Sequence, residues 1–450
     1  MFVFPIIYIG TFLFFLKGLF QDKPERIIWF VLLGISAYTT SLSLTYQYGL
    51  LPLVNVIKYF KEIAAIGTLG YLLANYKEKI HFHYIDWLVL ILFVYCFSYV
   101  FLPVGKMTFV ERLTVFKSYG MFGMMYFIGR FLPLTNIDLK KIFTVILALT
   151  IIAVLIQLVE VLMNQHLQTI TSYTDYNQKV NLLYPSGSYG LTMTFETDNG
   201  IKRFASFFHD PLDFAISLLM CLCGVLAWIS FDEQQIIKTK WKWVIVVLLL
   251  IGLYKTFSRA SMLGAVIVLY VYAILTKRKL LLKTLYFSIF LAITWFIFLA
   301  SENFKGYVFD TFSLSESSSL GHLVSWVTGL DAMIEQPLGM GLGSSGLYAF
   351  GDGLGIGGES QPIFMGVQTG VISMLLYVTI YISIIVVAAK NWKLCKGEYK
   401  ILAFGILLFK IGSLIPMFTS YFESFFYMSF ITWILTGILI NHLMWQRALR

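Results

Sequence analysis

Long apolar stretches recur along the whole chain and are separated by polar joints. A membrane helix needs about 17 to 25 mainly apolar residues to cross the hydrocarbon core. About 13 stretches come close to that length, near residues 2–19, 27–46, 52–75, 84–103, 114–131, 140–163, 211–230, 241–256, 259–276, 284–300, 363–389, 401–419 and 424–444. The pattern predicts an all-α polytopic membrane helix bundle, a single integral membrane domain over residues 1–450.

Two joints, residues 164–210 and 301–362, are much longer than the others. The first is rich in Tyr, Asn, Ser and Thr, and long connections of this kind often carry function. The second contains apolar residues at helical spacing, which predicts an amphipathic helix at a membrane surface: Leu320, Leu323, Val324, Val327, Leu330 and Ile334. A glycine-rich stretch follows, but its GxGxxG-like spacing indicates no nucleotide site without a preceding strand.

The basic residues predict the orientation of the chain. Most Lys and Arg fall in alternate short joints, which the positive-inside rule assigns to the cytoplasm. Both long joints then lie on the outer face. Of 450 residues, 58% are hydrophobic and 13% are charged, which excludes a soluble globular domain. Basic joints against an anionic leaflet account for the net charge of +9, so we expect membrane lipids and no nucleic acid as partners.

The four cysteines show neither a disulfide framework nor zinc-ligand spacing. We therefore expect no metal site and no cofactor.

Candidate chemistry concentrates where helices begin on the predicted outer face. Ser258 is placed to cap the helix that starts at Arg259, and Lys255 adds a second cation. Helix N-termini bind phosphate through backbone N–H groups, and arginine adds bidentate donors. The pattern favours an anion ligand here.

Two further helix starts repeat this arrangement. In the first, Asp210 is placed to cap a helix that begins at a proline, with Arg203 and His209 just before it. In the second, Ser360 is placed to cap, beside Glu359 and Gln361. We expect the three starts to converge on one surface.

Other charged residues fall at the ends of the apolar stretches or inside them. Arg112 and Lys117 suit a ligand site or a surface anchor equally well. Lys58 and Glu62, four residues apart, predict a structural ion pair. Lys410, near the middle of a stretch, needs a partner or a water-filled cavity.

Four motifs in this order resemble the O-antigen polymerase and O-antigen ligase family of lipid-linked glycan transferases: "RFASFFHDP" (203–211), "SRA" (258–260), "PLGMGLG" (337–343) and "ESQPIFMGVQTGVISMLL" (359–376). The resemblance is clearest over about the last 250 residues. It implies a metal-independent glycosyltransferase in a bacterial inner membrane, with its active site on the periplasmic face. Its donor would be an oligosaccharide on undecaprenyl diphosphate, with the diphosphate held by Arg203 and Arg259.

The sequence departs from the family at two positions. Family ligases carry a functional histidine near the end of the late outer loop, where this chain has Glu359. That difference favours a polymerase. His322 stands where many polymerases have an arginine, which leaves one family cation position open.

The resemblance leads us to expect a polymerase that transfers a growing O-antigen or exopolysaccharide chain onto a lipid-linked repeat unit. Chain-length regulator and flippase proteins are further expected partners. Glu359 is the first choice for the base that activates the acceptor hydroxyl, with His209, Asp210 and His322 as substitutes. The alternatives are a ligase that moves the glycan onto lipid A-core or another acceptor, and a lipid-oligosaccharide flippase or secondary transporter.

Overall fold

The computed structural model describes residues 2–75, 81–181, 183–231, 239–313, 315–346 and 356–448. Within these ranges the chain is helical and contains no β-strand, apart from one isolated bridge between Glu196 and Lys202. The all-α prediction is confirmed for this part of the chain. Residues 347–355 of the glycine-rich stretch lie outside the described residues.

The described part of the first half of the chain contains ten α-helices, which run up to and into the first long joint. They are α1 (Val3–Leu19), α2 (Ile27–Trp29), α3 (Ser36–Gln47), α4 (Leu51–Ile57), α5 (Phe60–Asn75), α6 (Tyr84–Phe101), α7 (Phe109–Phe131), α8 (Leu139–Met163), α9 (Leu167–Ile170) and α10 (Tyr173–Tyr176). A π-helical segment joins α2 to α3, so Pro24–Gln47 is one continuous helix.

The described residues of the second half add eleven α-helices. They are α11 (Pro211–Phe231), α12 (Thr239–Lys255), α13 (Arg259–Leu275), α14 (Lys279–Phe298), α15 (Glu302–Phe312), α16 (Ser317–Glu335), α17 (Gln361–Thr369), α18 (Val371–Asn391), α19 (Gly397–Gly412), α20 (Leu414–Thr419) and α21 (Phe426–Ala448).

Among the residues that the structure describes, seven helices are long and apolar enough to cross a membrane: Pro24–Gln47, α6, α8, α11, α14, α18 and α21. These helices indicate a membrane protein. Each of the predicted apolar stretches contains helix, but several of these helices are shorter than a full span. For example, α5 and α19 have 16 residues each. The number of about 13 spans therefore stays a prediction.

The predicted ion pair between Lys58 and Glu62 is wrong. Helix α4 ends at Ile57 and α5 begins at Phe60, so the two residues do not share a helical face. Lys58 donates to Asn55 instead. Glu62 contacts Lys61 at 3.1 Å and Lys117 of α7 at 2.9 Å, which links α5 to α7.

Glycines allow α7 and α21 to pack backbone against backbone. A Cβ atom at Gly129 would lie 2.0 Å from the carbonyl oxygen of Ile434, and one at Gly437 would lie 2.2 Å from that of Tyr126. Small residues at such crossings are typical of helix pairs in membranes, where close packing replaces the hydrophobic driving force. The contact holds the central pair of the bundle together.

The two long joints meet at one end of the bundle. Glu160, near the end of α8, accepts hydrogen bonds from the backbone N–H groups of Leu167 and Ser206, at 2.7 and 2.8 Å. The joint then forms the short hairpin closed by the bridge between Glu196 and Lys202. At the tip of this hairpin, Asp198 shares a side-chain hydrogen bond with Glu316 of the second long joint.

The helix predicted in the second long joint is present as α16. Its apolar residues Leu320, Val324, Val327, Leu330 and Ile334 are exposed on one face, and the opposite face packs on α17 through Gly329 and Met333. The position of this helix at a membrane surface stays a prediction.

Candidate functional site

Arg259 contacts a carboxylate from the second long joint. Its Nη1 atom lies 3.0 Å from Oε2 of Glu316, and its side chain remains 40% exposed. The same Oε2 atom accepts hydrogen bonds from the backbone and hydroxyl of Ser319, so Glu316 also caps α16. We call Arg259, Glu316 and Asp198 the loop clasp, because it joins α13 to both long joints.

The loop clasp holds Glu316 in its ionised form. Burial raises the pKa of Glu316, but hydrogen bonds with Asp198, Arg259 and Ser319 outweigh burial and lower that pKa to about 2. Neither Glu316 nor Asp198 was identified from the sequence. The sequence does contain a local signal for Glu316 as a helix cap: it stands at the start of a helical pattern, three residues before Ser319. No local signal marks Asp198.

The start of α13 differs in detail from its predicted form. Ser258 occupies the N-cap position, but its hydroxyl donates to Ser261 at 3.2 Å and caps no backbone N–H group. The prediction that Ser258 occupies the N-cap position is therefore confirmed, and the prediction that its side chain caps the helix is wrong. Lys255 ends α12 just before this turn, with its ammonium 5.8 Å from the ring of Tyr254.

Two predicted site residues, His322 and Glu359, lie in direct contact. The Nδ1 atom of His322 is 2.7 Å from Oε2 of Glu359. The backbone N–H of Glu359 donates to the hydroxyl of Ser325, one turn further along α16. The ring of Trp326 stacks beside His322, and its indole N–H donates to the carbonyl of Phe418. These contacts hold the imidazole and the carboxylate on one face of α16.

Helix α16 also sets the spacing between the loop clasp and the His322–Glu359 pair. Glu316 and His322 are six residues apart on this helix, or about 9 Å along its axis. The Arg259–Glu316 contact and the His322–Glu359 pair are therefore both made by α16, within two turns of each other.

Ser360 and Gln361 lie inside the protein, at the start of α17. The Ser360 carbonyl accepts from Phe364, but its hydroxyl is fully buried and caps no backbone N–H group. The predicted side-chain cap is therefore wrong. The side-chain oxygen of Gln361 accepts from the backbone N–H of Glu423 at 3.0 Å. Both residues position the helix start rather than line an open surface.

The start of α11 matches its prediction. Oδ1 of Asp210 accepts from the backbone N–H groups of Leu212 and Asp213, both at 2.8 Å, so Asp210 caps the helix. His209 contacts Asp210 through Nδ1 and Tyr173 through Nε2, each at 3.3 Å.

Arg203 directly follows the short hairpin of the first long joint, which has Asp198 at its tip. Its backbone N–H donates to the carbonyl of Phe195, and its carbonyl accepts from Nε2 of His166. The guanidinium is half-buried. The hairpin thus links the segment of Arg203 to the loop clasp through Asp198.

Arg112 and Lys117 serve contacts within the bundle. Nη1 of Arg112 donates to the carbonyl of Leu102 at the end of α6, and Lys117 pairs with Glu62 of α5. These contacts fit the anchor interpretation of both residues.

Lys410 is fully buried beside two aromatic rings. Its ammonium lies 4.3 Å from the ring of Tyr381 and 4.6 Å from that of Trp433, and it interacts electrostatically with Glu423. The carboxylate of Glu423 accepts hydrogen bonds from Tyr377, Ser429 and Trp433. This buried charge network lies directly behind Gln361. Glu423 was not identified from the sequence.

No family model and no curated protein matches this chain.

Proposed function

We propose that this protein is a polysaccharide polymerase that transfers a growing glycan from undecaprenyl diphosphate onto a lipid-linked repeat unit. The observation that carries the proposal is the arrangement along α16. One part of the helix contacts Arg259 through Glu316, and another holds the His322–Glu359 pair. Glycosyl transfer from a diphosphate requires a site for the anionic leaving group and a base for the acceptor hydroxyl.

Arg259 would neutralise the diphosphate leaving group. The Arg259 side chain remains 40% exposed although it contacts Glu316, so an incoming diphosphate has access to the guanidinium. Fixed cations stabilise the charge that develops on the leaving group as the bond to the anomeric carbon breaks. Arg203 is the second cation of this proposal, and Lys255 adds positive charge beside Arg259.

The His322–Glu359 pair would activate the acceptor. A neutral imidazole takes the proton of the attacking hydroxyl at Nε2, while Glu359 orients the ring through Nδ1 and stabilises the imidazolium that forms. This assignment changes the order of the sequence-based candidates. His322 becomes the base, and Glu359 becomes the residue that positions it.

The test is deletion of the gene, followed by inspection of the surface glycan. Loss of a polymerase leaves single capped repeat units. Loss of a ligase leaves no attached glycan, and loss of a flippase strands repeat units inside the cell. We expect single capped units.

Complementation of the deletion tests the cation sites. We expect Arg259→Ala and Arg203→Ala to reproduce the deletion with the protein still in the membrane, with activity reduced roughly 100-fold or more. Lys305→Ala is the control, because Lys305 is a cation of the second long joint that lies outside the proposed cation sites and pairs locally with Glu302. Polymerisation that survives both arginine changes would contradict the proposed mechanism.

A flippase or secondary transporter is the second candidate, and the buried network of Lys410 and Glu423 is the observation that favours it. Ionisable residues inside a helix bundle often mark transport pathways. Stranding of lipid-linked units on the cytoplasmic face of the deletion strain would select this candidate. A ligase remains the alternative within the same family.

A further inference from the structure

A short segment between α19 and α21 contacts both sides of the imidazole–carboxylate pair of the candidate site. It consists of α20 and the 3₁₀ turn that follows, and we call residues 414–424 the bridging segment. The carbonyl of Phe418 accepts from the indole N–H of Trp326 on α16 at 2.9 Å. The backbone N–H of Glu423 donates to the side-chain oxygen of Gln361 on α17 at 3.0 Å. The bridging segment thus joins α16 to the start of α17.

Both hydrogen bonds lie close to the pair along the chain. Trp326 is one helical turn after His322, and the rings of these two residues stack. Gln361 is two residues after Glu359, and both Gln361 and the intervening Ser360 are buried. Helices α16 and α17 also pack through apolar side chains. Such apolar contacts are non-directional, whereas the two hydrogen bonds fix how the helices are aligned.

The bridging segment is anchored by the buried carboxylate of Glu423. This carboxylate accepts from the hydroxyl of Tyr377 on α18 at 2.7 Å and from the indole N–H of Trp433 on α21 at 3.0 Å. The hydroxyl of Ser429 donates to it as well, and Lys410 on α19 supplies a positive charge. A buried charge network adds little net stability, because desolvation offsets the attraction between the charges. Its directional hydrogen bonds fix the bridging segment against three helices.

We propose that Glu423 is a positioning residue for the His322–Glu359 pair. Its carboxylate fixes the bridging segment, and the bridging segment sets the distance between the imidazole and the carboxylate of the pair. The catalytic part of the inference rests on the proposed function, in which this distance orients the base. The buried network of Lys410 and Glu423 then acts on the candidate site, and no transport pathway is needed to account for it.

Cross-linking tests the position of the pair without reference to activity. His322→Cys and Glu359→Cys are introduced together, and the purified protein is treated with dibromobimane, a short reagent that fluoresces strongly once both of its arms have reacted with thiols. The four native cysteines are buried and should react little. We expect the cysteine pair to cross-link in the otherwise native protein and to lose most of the cross-link when Glu423→Gln is added. Glutamine replaces one acceptor oxygen with an amide donor, which cannot accept from the donors around Glu423.

Tyr377→Phe provides a milder variant, and Tyr272→Phe is its matched control. Both changes remove the hydroxyl of a fully buried tyrosine. The hydroxyl of Tyr377 donates to Glu423, whereas that of Tyr272 accepts from Ser230, about 20 Å along α13 from Arg259. Tyr377→Phe should weaken the cross-link, and Tyr272→Phe should not. Tyr377→Phe also tests the inference if Glu423→Gln does not fold.

The kinetics of glycan transfer separate positioning from a general loss of stability. Glu423→Gln should lower kcat roughly 10- to 100-fold with little change in KM, because a small displacement of a catalytic group has this effect. In a His322→Ala background the same change should cause no further loss, because Glu423 acts only through the pair. A merely structural role would lower the rate by the same factor in both backgrounds.

The two measurements distinguish failure of the inference from failure of the proposed function. An unchanged cross-link in Glu423→Gln would overturn the inference, while the proposed function would stand. An equal loss of kcat in both backgrounds would overturn it as well. If the cross-link is lost but wild type transfers no glycan, Glu423 still positions the pair, and the proposed function fails.

Discussion

At the scale of single residues, neighbours decide which role a polar side chain takes. Asp210 caps its helix as expected, because a carboxylate accepts two backbone N–H groups at once. The serines at the N-cap positions of α13 and α17 do not cap their helices with the side chain. Ser258 donates to Ser261, and the Ser360 hydroxyl is buried with no cap bond. Sequence preferences identify the cap position better than the cap contact.

A double-mutant cycle tests the roles of His322 and Glu359. His322→Ala should lower the rate of glycan transfer roughly 100-fold or more, because it removes the proposed base. Glu359→Gln should cause a smaller loss, because it removes only the residue that orients and stabilises the imidazole. The rates are measured with purified enzyme and lipid-linked repeat units. Added imidazole should partly restore the His322→Ala variant.

The double variant is the decisive comparison. If Glu359 acts through His322, the double variant should be no slower than His322→Ala alone. Losses that multiply would show that Glu359 acts independently, as a base in its own right, and would restore the sequence-based assignment.

At the scale of elements, the first long joint depends on one neutral histidine. His166 is buried among the rings of Phe195, Phe204 and Tyr189, and it contacts the carbonyl of Arg203. Burial and, to a smaller extent, the charge of Lys202 lower the pKa of His166 from 6.5 to about 4. The folded joint therefore favours the uncharged ring.

This shift predicts that the joint loses stability as the pH falls. The folded pKa lies below the unfolded value, so the contribution of His166 is complete above pH 6.5 and is lost as the pH falls from 6.5 to about 4. The loss approaches about 1.4 kcal/mol per pH unit in that interval. A spin label at Tyr184→Cys, an exposed site in the joint, should become more mobile over this range.

The control for this experiment is the same label in a His166→Gln background, which does not titrate. Its mobility should stay constant over the interval. If the mobility of the label rose equally in both proteins, the loss of stability would come from a titrating group other than His166.

At the scale of the whole molecule, the loop clasp shows that both long joints lie at one end of the bundle. The positive-inside pattern predicts that this end faces the outside. The native cysteines Cys96, Cys221, Cys223 and Cys395 are buried, so they should react little with added reagents. Introduced cysteines can therefore report the orientation.

We expect a membrane-impermeant maleimide to label Tyr184→Cys and Glu302→Cys in intact cells. Leu280→Cys, in a basic joint, should react only after permeabilisation. All three positions are exposed: Tyr184 and Leu280 are 73% and 79% accessible, and the side chain of Glu302 is 88% accessible. If only Leu280→Cys were labelled in intact cells, the orientation of the chain would be the reverse of the predicted one. The proposed site would then face the cytoplasm.

Much of the architecture was predictable because membrane helices are selected by local properties. A run of apolar residues must satisfy its own backbone hydrogen bonds, so helices appear wherever such runs occur. Breaks were harder to predict. No local signal marks the interruption between Ile57 and Phe60, and the change of direction at Gly370, with φ of 88°, separates α17 from α18.

By itself, the sequence determined the helical class, most helix positions, the two long joints and the residue types available for a phosphate site. Only the tertiary structure decided which charges meet. Arg259 and Glu316 are 57 residues apart in the chain, and Lys410 depends on Glu423, which lies beyond the next helix. Helix formation depends on neighbours along the chain, whereas the partner of a charge depends on how helices pack. The sequence therefore supplies the residue types of the candidate site, and the fold decides which of them come into contact.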